Sequence, residues 1–331
     1  MVPSPVPADD VLARTRELAR TGAWSEVLGV LEPLVPFPTG SGEVRVLYSE
    51  ALMRVGRERN ACMWLREIIP GLLATGDAVN HRRALNLLGV GSFSVGDLEE
   101  ASGALHAAVE LAAEADDLLL FARATNNLGA IANLRGAHET ALGHYRLAVP
   151  AYQRLGQRRG LAESYHNLAI TYRDIGQLDQ AEEYERRAMD YASLGVAPRV
   201  AAMGLIGRAE IALRQGDPEL ARGTAQRAAR ELLVLEDPMN EADAHRLVGT
   251  AANAMGQFED AALAFEQALS IARERGHTLI EAETLRDRAL GLLARGARDQ
   301  AEMDAAAAIA LFERLGATSE VEGLRTALGA E

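Results

Sequence analysis

The chain has 331 residues, a formal net charge of −13 and 34 basic residues, all of which are arginine. Because it has no lysine, it cannot carry a lysine-dependent P-loop or a pyridoxal Schiff base, and no cofactor is expected. The acidic balance also argues against direct nucleic-acid binding, which depends on neutralising phosphates.

The N-terminal sequence predicts neither export nor membrane insertion. Its first ten residues, MVPSPVPADD, lack the basic and apolar regions of a secretory signal. No stretch of the chain approaches the ~20 apolar residues that a membrane span needs, so no membrane partner is expected. The single cysteine, Cys62, cannot form a disulfide within the chain, which favours a reducing cytoplasm.

The first 42 residues predict a loose lead-in and one irregular helical pair. Residues 1–8 hold three prolines and form the lead-in. An acidic pair then caps a first helix, and Gly22 separates it from a second. We interpret residues 9–42 as a degenerate repeat that ends in the breaker cluster Pro36–Gly42, the best candidate for a hinge.

The rest of the sequence repeats with a period of 40 residues. A Gly-x-x-x-x-Ala motif occurs seven times, with its glycines at Gly56, Gly96, Gly136, Gly176, Gly216, Gly256 and Gly296. A second column marks the end of each unit at Gly76, Asp116, Gly156, Val196, Glu236, Gly276 and Gly316. Helical spacing of apolar residues on both sides of each motif glycine predicts two helices per unit, and a fixed period of this length is typical of a solenoid.

Seven repeats are therefore predicted within residues 43–316. Pro70 and Pro150 lie at the same place in two second helices, where each predicts either a bend or the end of the helix. Residues 317–331 predict a last amphipathic helix, which covers the apolar edge of the final repeat as a terminal cap must.

The repeated residues resemble the tetratricopeptide repeat over essentially the whole chain. Leu128-Gly129 matches the pattern of the first helix, Ala141 and Ala148 match the alanines of the second, and Tyr145 is the aromatic residue between them. The period is similar to that of kinesin light chains, Pins-type adaptors and the sensor domains of some bacterial regulators. The resemblance implies an all-α, right-handed superhelical solenoid of about eight repeats with a C-terminal capping helix.

The resemblance also implies that the first helix of each repeat lines a concave groove. Polar residues at the expected inward positions, or beside them, are Arg83, Asn86, Arg123, Asn126, Asn127, Asn133, His166, Asn167, Arg173, Arg246 and Asn253. Asparagine amides can both donate to and accept from an extended peptide, and arginines can bind a carboxylate or phosphate. For any single residue, the alternative to ligand binding is that it lies on the solvated surface or forms a contact between repeats.

These residues favour a non-enzymatic adaptor or scaffold that binds a peptide or protein segment in the groove. An acidic group or a C-terminal carboxylate is a candidate feature of that partner. A peptide-sensing receptor that changes shape to control an effector protein is the main alternative, and a self-assembling scaffold is a third. The histidines lie in separate repeats without the neighbouring ligands of a metal site, and no catalytic constellation is recognised.

Overall fold

The computed structural model describes residues 8–35, 42–192 and 197–329, and every regular element in these ranges is a helix. The first pair consists of α1, Ala8–Thr21, and α2, Trp24–Leu31, followed by a 3-10 turn at Glu32–Leu34. The predicted lead-in before Ala8 and residues 36–41 of the predicted hinge lie outside the described residues. No described helix is long and apolar enough to cross a membrane.

Seven regular helix pairs follow, and a single helix ends the chain. The first helices are α3 Gly42–Arg54, α5 Ala78–Val95, α7 Leu118–Leu134, α9 Arg158–Asp174, α11 Pro198–Arg214, α13 Pro238–Ala254 and α15 Thr278–Ala294. The second helices are α4 Glu58–Ala74, α6 Leu98–Glu114, α8 His138–Arg154, α10 Leu178–Ala192, α12 Pro218–Val234, α14 Phe258–Arg275 and α16 Arg298–Arg314. The last helix is α17, Thr318–Leu328. The predicted all-α solenoid is thereby confirmed.

The predicted turn residues share one backbone conformation. Gly176 has a φ of +80°, a left-handed value that ends a helix without a clash from a Cβ atom. Two turns of the second column use the same conformation without glycine, since Asp116 has a φ of +53° and Glu236 one of +51°. Val196, the remaining non-glycine of that column, lies outside the described residues.

Small residues let the two helices of a pair approach closely. Ala141 and Ala148 are completely buried, and a Cβ atom on Gly129 would lie 2.5 Å from the ring of Tyr145. The aromatic ring therefore occupies the space that the glycine leaves. The helices α4 and α8 continue through Pro70 and Pro150, so neither proline ends its helix.

The superhelix closes on itself, so that distant repeats touch. Thr278 at the start of α15 donates a hydrogen bond from Oγ1 to the carbonyl of Val95 at the end of α5, over 3.2 Å. A Cβ atom on Gly96 would lie 2.9 Å from Leu315, and one on Gly276 would lie 3.1 Å from Arg59. We call these inter-turn contacts the closing contact. They bring the early and late repeats together around an inner channel.

The capping helix α17 packs on the last pair through its apolar face. Val321 and Leu324 are buried in the same cluster as Phe312 and Leu315 of the preceding unit. The final repeat therefore does not expose its apolar edge.

Candidate functional site: a channel inside the superhelix

The inner walls of the superhelix enclose a channel of about 470 Å³. Most lining residues come from α3, α5, α7, α9 and α11, and others come from α4, α8, the start of α13 and the turns between helices. Because these elements belong to both sides of the closing contact, the channel depends on the whole superhelical turn and not on one repeat.

Amides line one wall of the channel, on the neighbouring helices α5 and α7. Asn86 is 9% exposed, and its Oδ1 atom has no hydrogen-bond partner among the described residues. Asn126, at the same position one repeat later, accepts a hydrogen bond over 2.8 Å from Oγ of Ser164. Asn127 beside it is half-buried and also lines the channel. This wall therefore has a buried acceptor that lacks a partner.

Arginines reach the same channel from four different helices. Arg54 lies 3.6 Å from Glu50, and its guanidinium group stacks over the ring of Trp24 at 5.6 Å. Burial lowers the pKa of Arg54, and the positive charge of Arg159 lowers it further. The other lining arginines are Arg123, Arg159 and Arg199.

The channel wall where the early and late repeats meet is acidic and holds a buried histidine. Glu58, Glu236 and Asp237 line it, and burial raises the pKa of Glu58. His277 is 3% exposed, and its Nε2 atom has no hydrogen-bond partner in the described parts of the chain. Burial lowers the pKa of His277 to about 4, so the ring is neutral at pH 7.

A network of ion pairs crosses the first helices of the C-terminal half. Arg246 is 4% exposed and lies 2.6 Å from Asp287, 2.7 Å from Glu210 and 2.7 Å from Asp243. Arg173 pairs with the same Glu210. Each of these arginines is already neutralised within the chain, so they offer no free charge to a ligand.

The predicted site residues divide into two groups. Asn86, Arg123, Asn126 and Asn127 line the channel, whereas Arg83, Asn133, His166, Asn167, Arg173, Arg246 and Asn253 do not. For Arg173 and Arg246 the expectation of a groove position is corrected by the ion-pair network, which uses their charges inside the protein.

The remaining members of the second group also have partners or positions elsewhere. Arg83 lies beside the channel, 4.0 Å from Glu50. Asn133 donates a hydrogen bond to Asp174 over 2.8 Å, which ties α7 to α9. Asn253 lines a separate surface pocket with Phe258. Asn167 is half-buried outside the channel lining.

Residues 120–193 match the family model of the tetratricopeptide repeat. The solved structures with the same fold extend this likeness to nearly the whole chain. Residues 120–193 therefore contain tetratricopeptide repeats, and the fold of the whole chain is that of a tetratricopeptide repeat solenoid. No curated protein matches its sequence.

Three solved tetratricopeptide structures show the extent of the likeness. A Rap protein complexed with competence and sporulation factor superposes with a TM-score of 0.64 at 13% identity, over 98% of this chain and 97% of that one. NprR in complex with its cognate peptide NprX gives 0.63 at 14% identity, over 98% and 97%. The Rap conjugation gene regulator of plasmid pLS20 with the Phr* peptide gives 0.60 at 13% identity, over 96% and 94%. At these identities the likeness establishes the fold.

His166 is in the core because one repeat departs from the tetratricopeptide pattern. The second-helix position that holds Tyr145 or Phe265 in other repeats holds Glu185 here. This carboxylate is 1% exposed and lies 3.0 Å from Nδ1 of His166, which is 4% exposed. The expectation that His166 faces the groove is therefore wrong, since a buried carboxylate needs a polar partner. The glutamate at an aromatic position was the available signal.

Sequence reasoning missed three of the channel arginines. Arg54 lies at the end of its helix, and Arg159 and Arg199 lie in the first turn of theirs, away from the positions that helical period predicts to face inward. Arg159 and Arg199 both precede their turn glycine by 17 residues, and this shared position was a usable signal.

Proposed function

We propose that this tetratricopeptide repeat protein is a non-enzymatic adaptor that binds an extended peptide segment in the channel. The observation that carries the proposal is the unpartnered Oδ1 atom of Asn86 on the channel wall. A buried acceptor without a hydrogen bond costs about 1–3 kcal/mol, and a peptide N–H group would remove that cost.

The rest of the lining suits a peptide better than a small apolar molecule. Asn126 and Asn127 extend the row of amides, which can pair with main-chain groups that all peptides share. Leu87, Val90 and Met203 supply apolar surface for the peptide side chains. This combination of main-chain hydrogen bonds and side-chain contacts is a common mode of peptide recognition.

The solved neighbours support the same proposal. Rap proteins and NprR were crystallised with peptides bound, and they share the fold of this chain. A cytoplasmic location and an acidic or C-terminal carboxylate group on the partner belong to the proposal.

Affinity selection from a pool of random octapeptides tests the proposal. The wild-type protein is expected to enrich a subset of the pool, and Asn127→Ala is expected to weaken that enrichment. Asn167→Ala is the matched control, because it removes the same side chain one repeat later and outside the channel lining. A wild-type protein that enriches no sequence would overturn the proposal, as would equal losses in both variants.

The closing contact favours a second candidate, a regulatory receptor whose superhelix changes shape with its ligand. Glu58 of the early repeats and His277 of the late repeats both line the channel, so one ligand can touch both sides of the contact. Small-angle scattering with and without a selected peptide separates the two functions. A change in the radius of gyration supports the receptor, whereas identical profiles reject it and leave the adaptor.

A further inference from the structure

We propose that the surface pocket between α14 and α16 binds a small aromatic carboxylic acid. The pocket has a volume of about 300 Å³, and the C-terminal parts of α13 and α15 complete its walls. It shares no lining residue with the channel, so the inference goes beyond the proposed function. A cavity of this volume is at the lower end of the range for ligand sites, which suits a ligand with a single ring.

An earlier pair of repeats shows what fills the equivalent place between α8 and α10. Tyr172 and Tyr184 occupy the positions of Leu292 and Asp304, exactly three 40-residue periods earlier. Their rings stack in parallel with their centroids 5.1 Å apart, and both pack on the cluster that contains Tyr145. The later repeats lack both rings, and the pocket lies where those rings would be.

The walls that remain suit an aromatic ring supplied by a ligand. Phe265 is buried at the base of the pocket, and Phe258 is 37% exposed at its edge. On the opposite side, Met303 of α16 is 75% exposed. Aromatic rings pack favourably on other rings and on the sulfur of methionine. A ring between α14 and α16 would therefore restore the packing that the two tyrosines provide in the earlier repeats.

A carboxylate is also missing from this place. In the earlier repeats, Asn133 donates a hydrogen bond to Asp174 over 2.8 Å. The equivalent residues of the later repeats are Asn253 and Ala294, so the asparagine has lost its carboxylate partner. Asn253 lines the pocket and forms no hydrogen bond with another described residue. Its amide can therefore donate to a carboxylate that a ligand brings.

The charges of the lining favour a ligand with one negative charge. Arg288 is bound by Asp304 over 2.6 and 2.8 Å and also pairs with Glu266. Arg295 has no ion pair within the described ranges, and its guanidinium group stacks over the ring of Phe258 at 5.3 Å. This stacking orders the free cation at the pocket before a ligand binds, which lowers the entropy cost of binding. A carboxylate can then accept two hydrogen bonds from its planar fork.

Titration with three small molecules, followed by ligand-observed NMR, tests the pocket. Phenylacetate has both the ring and the carboxylate, phenylacetamide lacks the charge, and hexanoate lacks the ring. The wild-type protein is expected to bind phenylacetate with a Kd below about 1 mM, a realistic value for a ligand of about ten non-hydrogen atoms. Each of the other two molecules is expected to bind at least about 10-fold more weakly.

Two variants assign the binding to the pocket. Arg295→Gln should weaken the binding of phenylacetate by at least about 10-fold and leave that of phenylacetamide unchanged. Its control is Arg314→Gln, because Arg314 is an exposed arginine at the end of α16, outside the lining. Ala262→Leu should abolish binding, since it introduces the side chain that Leu142 has at the same position of the earlier repeat. Ala262 is exposed on α14, so the larger side chain can be added without disturbing the core.

The outcomes that would overturn the proposal are separate from those for the channel. Equal binding of phenylacetate and phenylacetamide would reject the carboxylate, and equal binding of phenylacetate and hexanoate would reject the ring. Undiminished phenylacetate binding in Arg295→Gln or in Ala262→Leu would show that the acid binds elsewhere. If the wild-type protein bound none of the three molecules, the pocket would not be a site for an aromatic acid. Peptide selection by the channel is measured independently and would stand in each of these cases.

Discussion

His166 and Glu185 form a buried pair between α9 and α10, with Nδ1 of the histidine 3.0 Å from the carboxylate. A glycine makes room for this pair, since a Cβ atom on Gly207 of the next repeat would fall in contact with Glu185. Residues of α9, α10 and α11 thus together accommodate one polar contact in the core. The pair replaces the aromatic packing of other repeats.

Loss of the histidine alone is expected to be costly. His166→Ala leaves a buried carboxylate without its partner, which should lower the free energy of unfolding by about 3–5 kcal/mol. Urea denaturation followed by circular dichroism measures the change. The exposed His106 provides a control, for which His106→Ala should change stability by less than about 0.5 kcal/mol. A loss below about 1 kcal/mol in His166→Ala would contradict the role of the pair.

Replacing either of two glycines in one repeat with alanine is expected to change the stability of the protein, but in opposite directions. Gly129→Ala should destabilise the protein by about 1–3 kcal/mol, because the new methyl group would meet the ring of Tyr145. Gly143→Ala should stabilise it by about 1 kcal/mol, because nothing lies within 4 Å and alanine is the better helix former. Thermal unfolding of the two variants, side by side, tests the packing. If the melting temperatures of both variants shifted in the same direction, this description of the packing would be wrong.

Replacing Asp116 with glycine is expected to stabilise the protein. Its φ of +53° is a left-handed conformation that costs a residue with a Cβ atom about 1–2 kcal/mol. The greater freedom of glycine in the unfolded chain offsets part of that gain, so Asp116→Gly should stabilise by about 0.5–1 kcal/mol. Chemical denaturation measures it, with Gly156→Asp as the reverse change at the same column. A destabilised Asp116→Gly variant would show that the aspartate side chain has a stabilising contact there.

The buried His277 is expected to make stability depend on pH. Its pKa is about 4 in the folded state, lowered chiefly by burial, whereas an unfolded histidine has a pKa of 6.5. The unfolded state therefore binds more protons between these values. The contribution of His277 is fully present above pH 6.5 and is lost as the pH falls towards 4.

His277→Leu removes this titrating group and should flatten the fall in stability between pH 6.5 and pH 4. Unfolding free energies of the wild type and the variant, measured across that window, give the difference directly. His106→Leu controls for the loss of a histidine at an exposed site. Parallel pH curves for the wild type and His277→Leu would contradict the assignment.

The fold was predictable because its determinants recur. The motif glycines, such as Gly176, fix the turns, and the alanines after them fix the helix contacts, so each repeat supports the interpretation of the others. Asp116 and Glu236 adopt the same left-handed turn conformation, although neither is a glycine. Their place in the 40-residue repeat therefore predicted the turn, although their residue type alone would not have.

The site was less predictable because the channel depends on contacts between distant repeats. Asn86 and Arg123 could be placed on an inner face from helical period alone, and both line the channel. Arg246 occupies the same position in its repeat as Asn86, yet it is neutralised by carboxylates on its own helix and on two neighbouring helices. Periodicity places a side chain on a face, but its partners decide whether that side chain is available.

The closing contact has a consequence for the way the chain folds and opens. An array with contacts only between neighbours can fray from either end, one unit at a time. The hydrogen bond from Thr278 to Val95 joins residues 183 positions apart, so the early and late units hold each other in place. Amide protons of the outer units should therefore exchange with solvent more slowly than in an open array. The same long-range closure should slow refolding, because a large loop must form before the contact can.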